Sequence, residues 1–316
     1  MSVFTALQYR NYRLYLAGQG LANIGSLMKQ MAVGWLAYRL SDSVFLLGMV
    51  SFAGEISTFL LGSVAGVIAD RIDKRRLLVL THNGIALNAI VLGYLTMSGT
   101  ITFWMMIIIQ LIFGCLSGLE MPARQAFVND LIEDKSHLTN AIALNSTLFN
   151  TARIIGPSVA GLLIPLIGEG LCFLTYGIMS LVIVVVFVLI RYRPEAKTPT
   201  QLNFRREFME GAQYAYAFEP IRILMVFVAA ITLLGLSYAV VLPVFANEVF
   251  HAGAEVFGYL NSASGIGSVV GALYLGSKKN ALGLEKVMCI GAVVMGEVSR
   301  ALPYPANCGF RWGLWY

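Results

Sequence analysis

Gly66-Val67-Ile68-Ala69-Asp70-Arg71-Ile72-Asp73-Lys74-Arg75-Arg76 is the stretch on which the fold class turns. Six charges fall within seven of these residues, and long apolar runs flank them on both sides. A lipid interior offers no water to free backbone groups, so a spanning segment is a helix or part of a closed barrel. A short charged break between two apolar runs of helical length therefore reads as a turn at a membrane surface between two spanning helices.

Composition agrees. Of 316 residues, 58% are hydrophobic and 12% charged, and the mean hydropathy is +0.74. A soluble domain carries about 25% charged residues. Crossing the hydrocarbon takes about 20 apolar residues in a helix. Eight runs qualify: 14–38, 44–69, 77–97, 102–121, 141–167, 171–190, 221–247 and 257–276. A ninth begins near Lys286 and falters after Met295. The first run is not a cleaved signal: it is long, holds Gln19, Asn23, Lys29 and Gln30, and no small-residue cleavage site follows.

The net charge of +5 is not a nucleic-acid footprint, because the basic residues fall in alternate loops. Seventeen of the 22 Lys and Arg lie on one side, from Arg10 and Arg13 through the charged turn to Lys278, Lys279 and Lys286. The opposite loops hold Arg39 together with Asp42, Glu169, Glu248 and Glu255. The positive-inside rule makes the first side cytoplasmic and places the N-terminus there. The partners expected are a lipid bilayer and small molecules, with no nucleic acid.

The layout is all-α with three parts. Residues 1–190 form a six-helix bundle, 191–219 a cytoplasmic linker, and 220–316 an incomplete second bundle. In the linker, Phe204, Phe208, Ala212 and Ala215 share one face of an amphipathic surface helix. From about Glu297 the apolar pattern gives way to a Pro- and Gly-broken tail. A truncated or frameshifted reading frame is the expectation, with an irregular natural tail as the alternative. Cys115, Cys172 and Cys289 sit in apolar spans without metal-ligand spacing and read as buried small residues.

Polar residues inside spans are expensive and mark function or structural pairing. In the first span Gln19, Asn23, Ser26 and Gln30 share a helix face, with Lys29 beside them. In the second, Gly48, Ser51, Glu55, Thr58, Gly62 and Gly66 form a small, polar face. Counted from the outer helix ends at about 1.5 Å per residue, Lys29 and Glu55 lie at nearly one depth, so a pair is possible. Arg153, on a face with Ser146, Asn150 and Pro157, is also near mid-depth. These residues suggest a water-filled cavity with a coupling role; the alternative is a structural ion-pair network. Gly62-x-x-x-Gly66, Gly114-x-x-x-Gly118 and Gly267-x-x-x-Gly271 allow close helix approach. Gly156-Pro157 removes a backbone donor and loosens its helix. No His-Glu-x-x-His, Gly-x-Ser-x-Gly or Walker lysine loop is present, so no enzyme activity and no cofactor is expected, and uphill transport would draw on an ion gradient.

The turn from Gly66 to Arg76 resembles the signature loop of the major facilitator superfamily, through Gly66, Asp70, Arg71, Arg75 and Arg76. Asp73 stands where the general pattern has glycine. That variant, Pro122-Ala123-Arg124-Gln125-Ala126-Phe127-Val128, and Ala152-Arg153-Ile154-Ile155-Gly156-Pro157-Ser158-Val159-Ala160-Gly161 are similar to the branch of macrolide and enterobactin exporters. The last resembles the antiporter motif of helix 5 at Gly156, Pro157 and Gly161, with Ala152 where a further glycine is usual. The resemblance implies twelve helices in two halves that rock about a central site in the bacterial inner membrane. It makes Asp70 a conformational latch with Arg75 as companion. It also implies proton-coupled efflux of a small amphiphile, drug- or siderophore-like. An inactive fragment of such a carrier, or a receptor or scaffold on the same fold, are the alternatives.

Overall fold

The computed structural model describes residues 5–132, 134–191, 209, 213–235, 238–277, 291 and 294; within its helices the side chains of 63–64, 67–71, 230–231, 233–235, 238–239, 272–273 and 275–277 are not described. Of the linker helix expected to begin at Phe204, Met209 and the helical residues 213–217 are described, Ala215 among them, whereas Phe204, Phe208 and Ala212 lie outside that set; so do the Lys278-Lys279 pair, the run from Lys286 apart from Gly291 and Val294, and the tail from Glu297.

A short 3-10 turn, Thr5–Gln8, leads into α1 (Arg10–Ser41). Next come α2 (Val44–Arg71), α3 (Lys74–Met97) and α4 (Phe103–Leu131). The helical stretch Leu138–Leu189 is broken at Gly168 (φ 78°, ψ 166°), which divides it into α5 (138–167) and α6 (169–189). Glycine fits there because an L side chain is strained at such a φ. Gly18 of α1 lies beside Val186 and Gly20 beside Leu148, so α5 and α6 return to the same depth as a hairpin. Then follow α7 (Glu219–Gly235), α8 (Tyr238–Val244) with a π turn Phe245–Val249, and α9 (Ala254–Ser277).

Local chemistry sets the helix ends. Asp42 stops α1 in the left-handed region (φ 49°) and returns its N–H to Tyr38 O at 2.7 Å. Asp73 caps α3 by accepting from the Arg76 N–H at 2.9 Å. Thr102 caps α4 through the Met105 N–H. The α1–α2, α3–α4 and α5–α6 turns share one end of the molecule, here the hairpin end. The charged turn lies at the other, the basic end.

Four stretches are long and apolar enough to cross a membrane: Val44–Gly62, Lys74–Met97, Phe103–Leu131 and Lys135–Leu189, the last being the α5–α6 hairpin. The first expected span, α1, is not among them, since Gln19, Asn23, Lys29 and Gln30 dilute its hydropathy. It is held by packing instead, with Met28, Leu36 and Ala37 at 1% exposure or less.

Between helices in lipid, packing and hydrogen bonds replace the hydrophobic drive. A β-carbon at Gly114 would collide with the Gly54 carbonyl oxygen, so α2 and α4 approach backbone to backbone. Gly161 of α5 meets Gly258 of α9 in the same manner. Gly62, Gly66, Gly267 and Gly271 have nothing within 4 Å of their missing β-carbon among the described residues. The Gly114 motif is thus a packing seam, with Gly118 against the backbone of Thr58 and Gly62, while Gly66, Gly267 and Gly271 make no such approach among the described residues.

The core is divided by depth. Toward the hairpin end one cluster joins the first six helices to the later ones: Met28, Leu36, Leu47, Met106 and Phe173 pack with Val244, Ala246, Ala254 and Phe257. Toward the basic end a second cluster, including Tyr12, Tyr15, Leu78, Phe127 and Phe187, draws only on residues up to Ile190. Among the described residues the later helices therefore join the shared core at the hairpin end alone.

Candidate functional site

Lys29 is 1% exposed. Its Nζ donates to Gln110 Oε1 of α4 at 2.7 Å and stands 3.3 Å above the Phe113 ring. A buried ammonium is costly unless bonded. Here an amide oxygen and a ring face take the place of a counter-ion. The Lys29–Glu55 pair that depth allowed is not formed. Gly54 faces Gln110, and Glu55 lies a further ~100° around the helix. Glu55 is exposed and has no ion-pair partner among the described residues.

Glu55 instead lines a groove of about 890 Å³ between α2 and α7. Gly48, Ser51 and Phe52 form its α2 wall, and Leu224, Met225, Val228, Ala229 and Thr232 its α7 wall, with Val240 of α8 beside them. The lining is almost wholly apolar, and Glu55 is its one ionisable residue among the described ones. The groove can hold an apolar body, with one carboxylate to meet a polar or cationic group.

The other expected residues separate. Gln19 Nε2 donates to Asn23 Oδ1 at 2.8 Å, both buried, while Gln30 on the same face is exposed. Arg153 Nη1 reaches Ser268 Oγ of α9 at 3.4 Å, so it bridges α5 and α9 instead of joining Lys29 and Glu55. Gly156 packs on the Ile24 carbonyl of α1, and Pro157 is buried. With Gly161 on Gly258, the helix 5 motif is a wedge between α1 and α9. Ser158 and Ser262 extend that seam with an Oγ–Oγ contact of 2.7 Å.

Around the charged turn, Gly66 is exposed, and the side chains of Asp70 and Arg71 are outside the described set. Lys74 Nζ pairs with Asp130 Oδ2 of α4. Arg75 Nη2 donates to the Val188 carbonyl near the end of α6. Arg76 is exposed. Lys74 and Arg75 thus tie the turn to its own six-helix unit.

Two constellations escaped sequence reasoning. At the hairpin end Tyr38 Oη donates to Glu248 Oε1 at 3.1 Å and accepts from Asn247 Nδ2 at 3.4 Å. Trp35 stacks on Phe257 nearby, centroids 6.2 Å apart. Inside the first six helices, His82, Glu120 and Arg124 meet around one carboxylate oxygen. Each of the latter three is an ionisable residue in or bordering an apolar run, and Glu120 and Arg124 stand at i,i+4 spacing, a pairing signal in the sequence.

Apolar helices of spanning length, polar residues turned inward and a groove with a single carboxylate define a multi-pass membrane protein of the solute-carrier kind. The chain belongs to the MFS_3 family, the transmembrane secretion effectors, whose pattern it matches over residues 1–307. It is 28% identical over 296 residues to the staphyloferrin A transporter of Staphylococcus aureus, covering 90% of this chain and 71% of that protein. It is 24% identical to an uncharacterized MFS-type transporter, YfiS, of Bacillus subtilis, over 93% of this chain and 70% of that one. Over 211 residues it is 27% identical to macrolide efflux protein A of Streptococcus pyogenes, 65% of this chain and 52% of that protein. The family and these relatives are transporters, not enzymes.

Proposed function

We propose that this chain moves a small amphiphilic molecule out of the bacterial cytoplasm by alternating access, driven by protons. The charged turn faces the cytoplasm, and the protein sits in the inner membrane. Residues 1–190 and the helices after 220 act as two units. Two relatives carry staphyloferrin A and a macrolide in their names. The observation that carries the reading is the uneven closure. The two units meet through Tyr38–Glu248, Trp35–Phe257 and Gly161–Gly258 at the hairpin end, while among the described residues the basic-end core draws on the first unit alone. A carrier caught open to the cytoplasm has that asymmetry.

Glu55 is the residue for the cargo or the coupling proton, since it is the one carboxylate in the groove. Asp70 keeps the latch role with Arg75 as its companion, in an outward-facing arrangement other than this one. The test uses everted membrane vesicles carrying the protein, with radiolabelled erythromycin or staphyloferrin A as probe. Uptake should follow an imposed pH gradient, stop with nigericin, and drop at least tenfold in Glu55→Gln. Uptake of neither probe, or uptake indifferent to nigericin, contradicts the proposal.

A further inference from the structure

Three ionisable side chains meet inside the first six helices, away from the groove. Arg124 Nε of α4 stands 3.0 Å from Glu120 Oε1. His82 Nε2 of α3 stands 3.6 Å from the same oxygen. The second distance is too long for a hydrogen bond. His82 is 4% exposed, and neither of its ring nitrogens has a hydrogen-bond partner among the described residues. Buried polar atoms are nearly always bonded, so such an imidazole asks for an explanation. Among the described residues, aromatic groups make up the rest of its surroundings. From α1 comes Tyr15, whose hydroxyl is also unpartnered, with Tyr12 behind it. From α6 come Tyr176 and the Phe187 ring, the latter 5.6 Å from His82. The remaining charges nearby are engaged elsewhere: Lys74 with Asp130, Lys29 with Gln110, Arg153 with Ser268, and Glu55 in the groove.

We propose that this trio is a proton-binding site at which His82 and Arg124 compete for Glu120 Oε1. Neutral His82, with its proton on Nδ1, turns a lone pair toward the carboxylate, which accounts for the stand-off. Arg124 then holds Glu120. When a proton binds Nε2, one N–H bond forms and no other covalent bond changes. The imidazolium becomes a donor, closes on Oε1 and makes a charge-assisted bond. Arg124 gives up that oxygen. Its side chain is already 21% exposed and lies seven residues before the basic end of α4, so the freed guanidinium has room to turn outward rather than stay in the core. The trio's net charge rises from zero to one, and the added charge is carried to the surface. Arg124 lies on α4, which packs against the helix bearing the charged turn. Its release therefore alters the end of the molecule at which the two units part. The role of this proton in transport rests on the proton-coupled reading above; the binding of the proton does not.

With three histidines in the chain, His82, His137 and His251, the site can be observed directly. Protein labelled with 15N in histidine is purified in lipid nanodiscs, and His82→Gln assigns the signals. Between pH 8 and pH 5 the His82 signals should pass from the neutral to the charged pattern. At pH 6 Glu120→Gln should cut the charged fraction at least about tenfold, and Arg124→Gln should raise it. Opposite responses of the two variants show that His82 takes up its proton against both charges, and a histidine that stays neutral throughout gives neither. Should Glu120→Gln fail to fold, Arg124→Gln and the parent protein decide alone. A His82 that stays neutral from pH 8 to pH 5, or that ignores Arg124→Gln, overturns the proposal. If His82 charges as described while vesicle uptake ignores the pH gradient, the proton site stands and the coupling reading falls.

Discussion

Replacing Gln110 by Leu removes the oxygen that accepts from Lys29 Nζ at 2.7 Å. The ammonium stays at 1% exposure with the Phe113 ring as its remaining support. A hydrogen bond to a charged group contributes about 1.5–3 kcal/mol, and a buried charged partner left unmet adds a desolvation cost of about 1–3 kcal/mol. The Phe113 ring supports the ammonium in parent and variant alike, so its cation–π attraction cancels in the difference. Taken together, Gln110→Leu should destabilise the protein by about 3 kcal/mol. Interhelical bonds in lipid measure lower, which sets a floor of about 1 kcal/mol. Removing both partners together, in Lys29→Met with Gln110→Leu, leaves apolar groups of similar shape and should restore stability to within about 1 kcal/mol of the parent. Unfolding in mixed micelles of rising SDS content, followed by tryptophan fluorescence, reads all three proteins. A single variant within about 0.5 kcal/mol of the parent, or a double variant as unstable as the single, would refute the reasoning, since either result leaves an unmet buried ammonium without its desolvation cost.

Gly114→Val should force α2 from α4 and cost about 3 kcal/mol or prevent accumulation in the membrane, read by detergent-stable yield and melting temperature. Tyr38→Phe removes the hydroxyl shared with Glu248 and Asn247. At about 1 kcal/mol for such a contact, opening at the hairpin end should rise roughly fivefold, read by maleimide labelling of Trp35→Cys. Asp134 is fully exposed, and the backbone N–H of Ser136 holds its carboxyl below the ordinary aspartate range. A depressed carboxyl stabilises its turn at neutral pH and loses that effect as pH falls through its titration. Amide exchange at Lys135–His137 should therefore quicken relative to the surrounding helices on acidification, and Asp134→Asn should remove that pH dependence.

Depth along the helices was legible in the sequence, and azimuth was not. Counting residues from the helix ends put Lys29 and Glu55 in one layer, but a single position, Gly54 against Glu55, decides which faces α4 and which faces the groove. The contact that fixes this, Gly54 beside Gln110 and Gly114, is tertiary. The α5–α6 hairpin was legible because Gly168, Glu169 and Gly170 interrupt an apolar run. The helix 5 motif reads in the sequence as a loosened helix, whereas its packing as a wedge depends on Gly258, a hundred residues later. His82, Glu120 and Arg124 were within reach of an inventory of every intramembrane charge. The i,i+4 spacing of Glu120 and Arg124 is a local signal, but the approach of His82 from another helix carries none.

The central claim is that two units close at one end and part at the other, and exchange that arrangement during transport. Spin labels at exposed Leu40 and Phe250 report the hairpin end, and labels at exposed Leu80 and Tyr274 the basic end. Double electron–electron resonance in nanodiscs, from pH 8 to pH 5, measures both distances. Two populations that change in opposite directions at the two ends are predicted, with the short hairpin-end distance paired with the long basic-end one. One fixed distance at each end across that pH range, with and without probe, would contradict it.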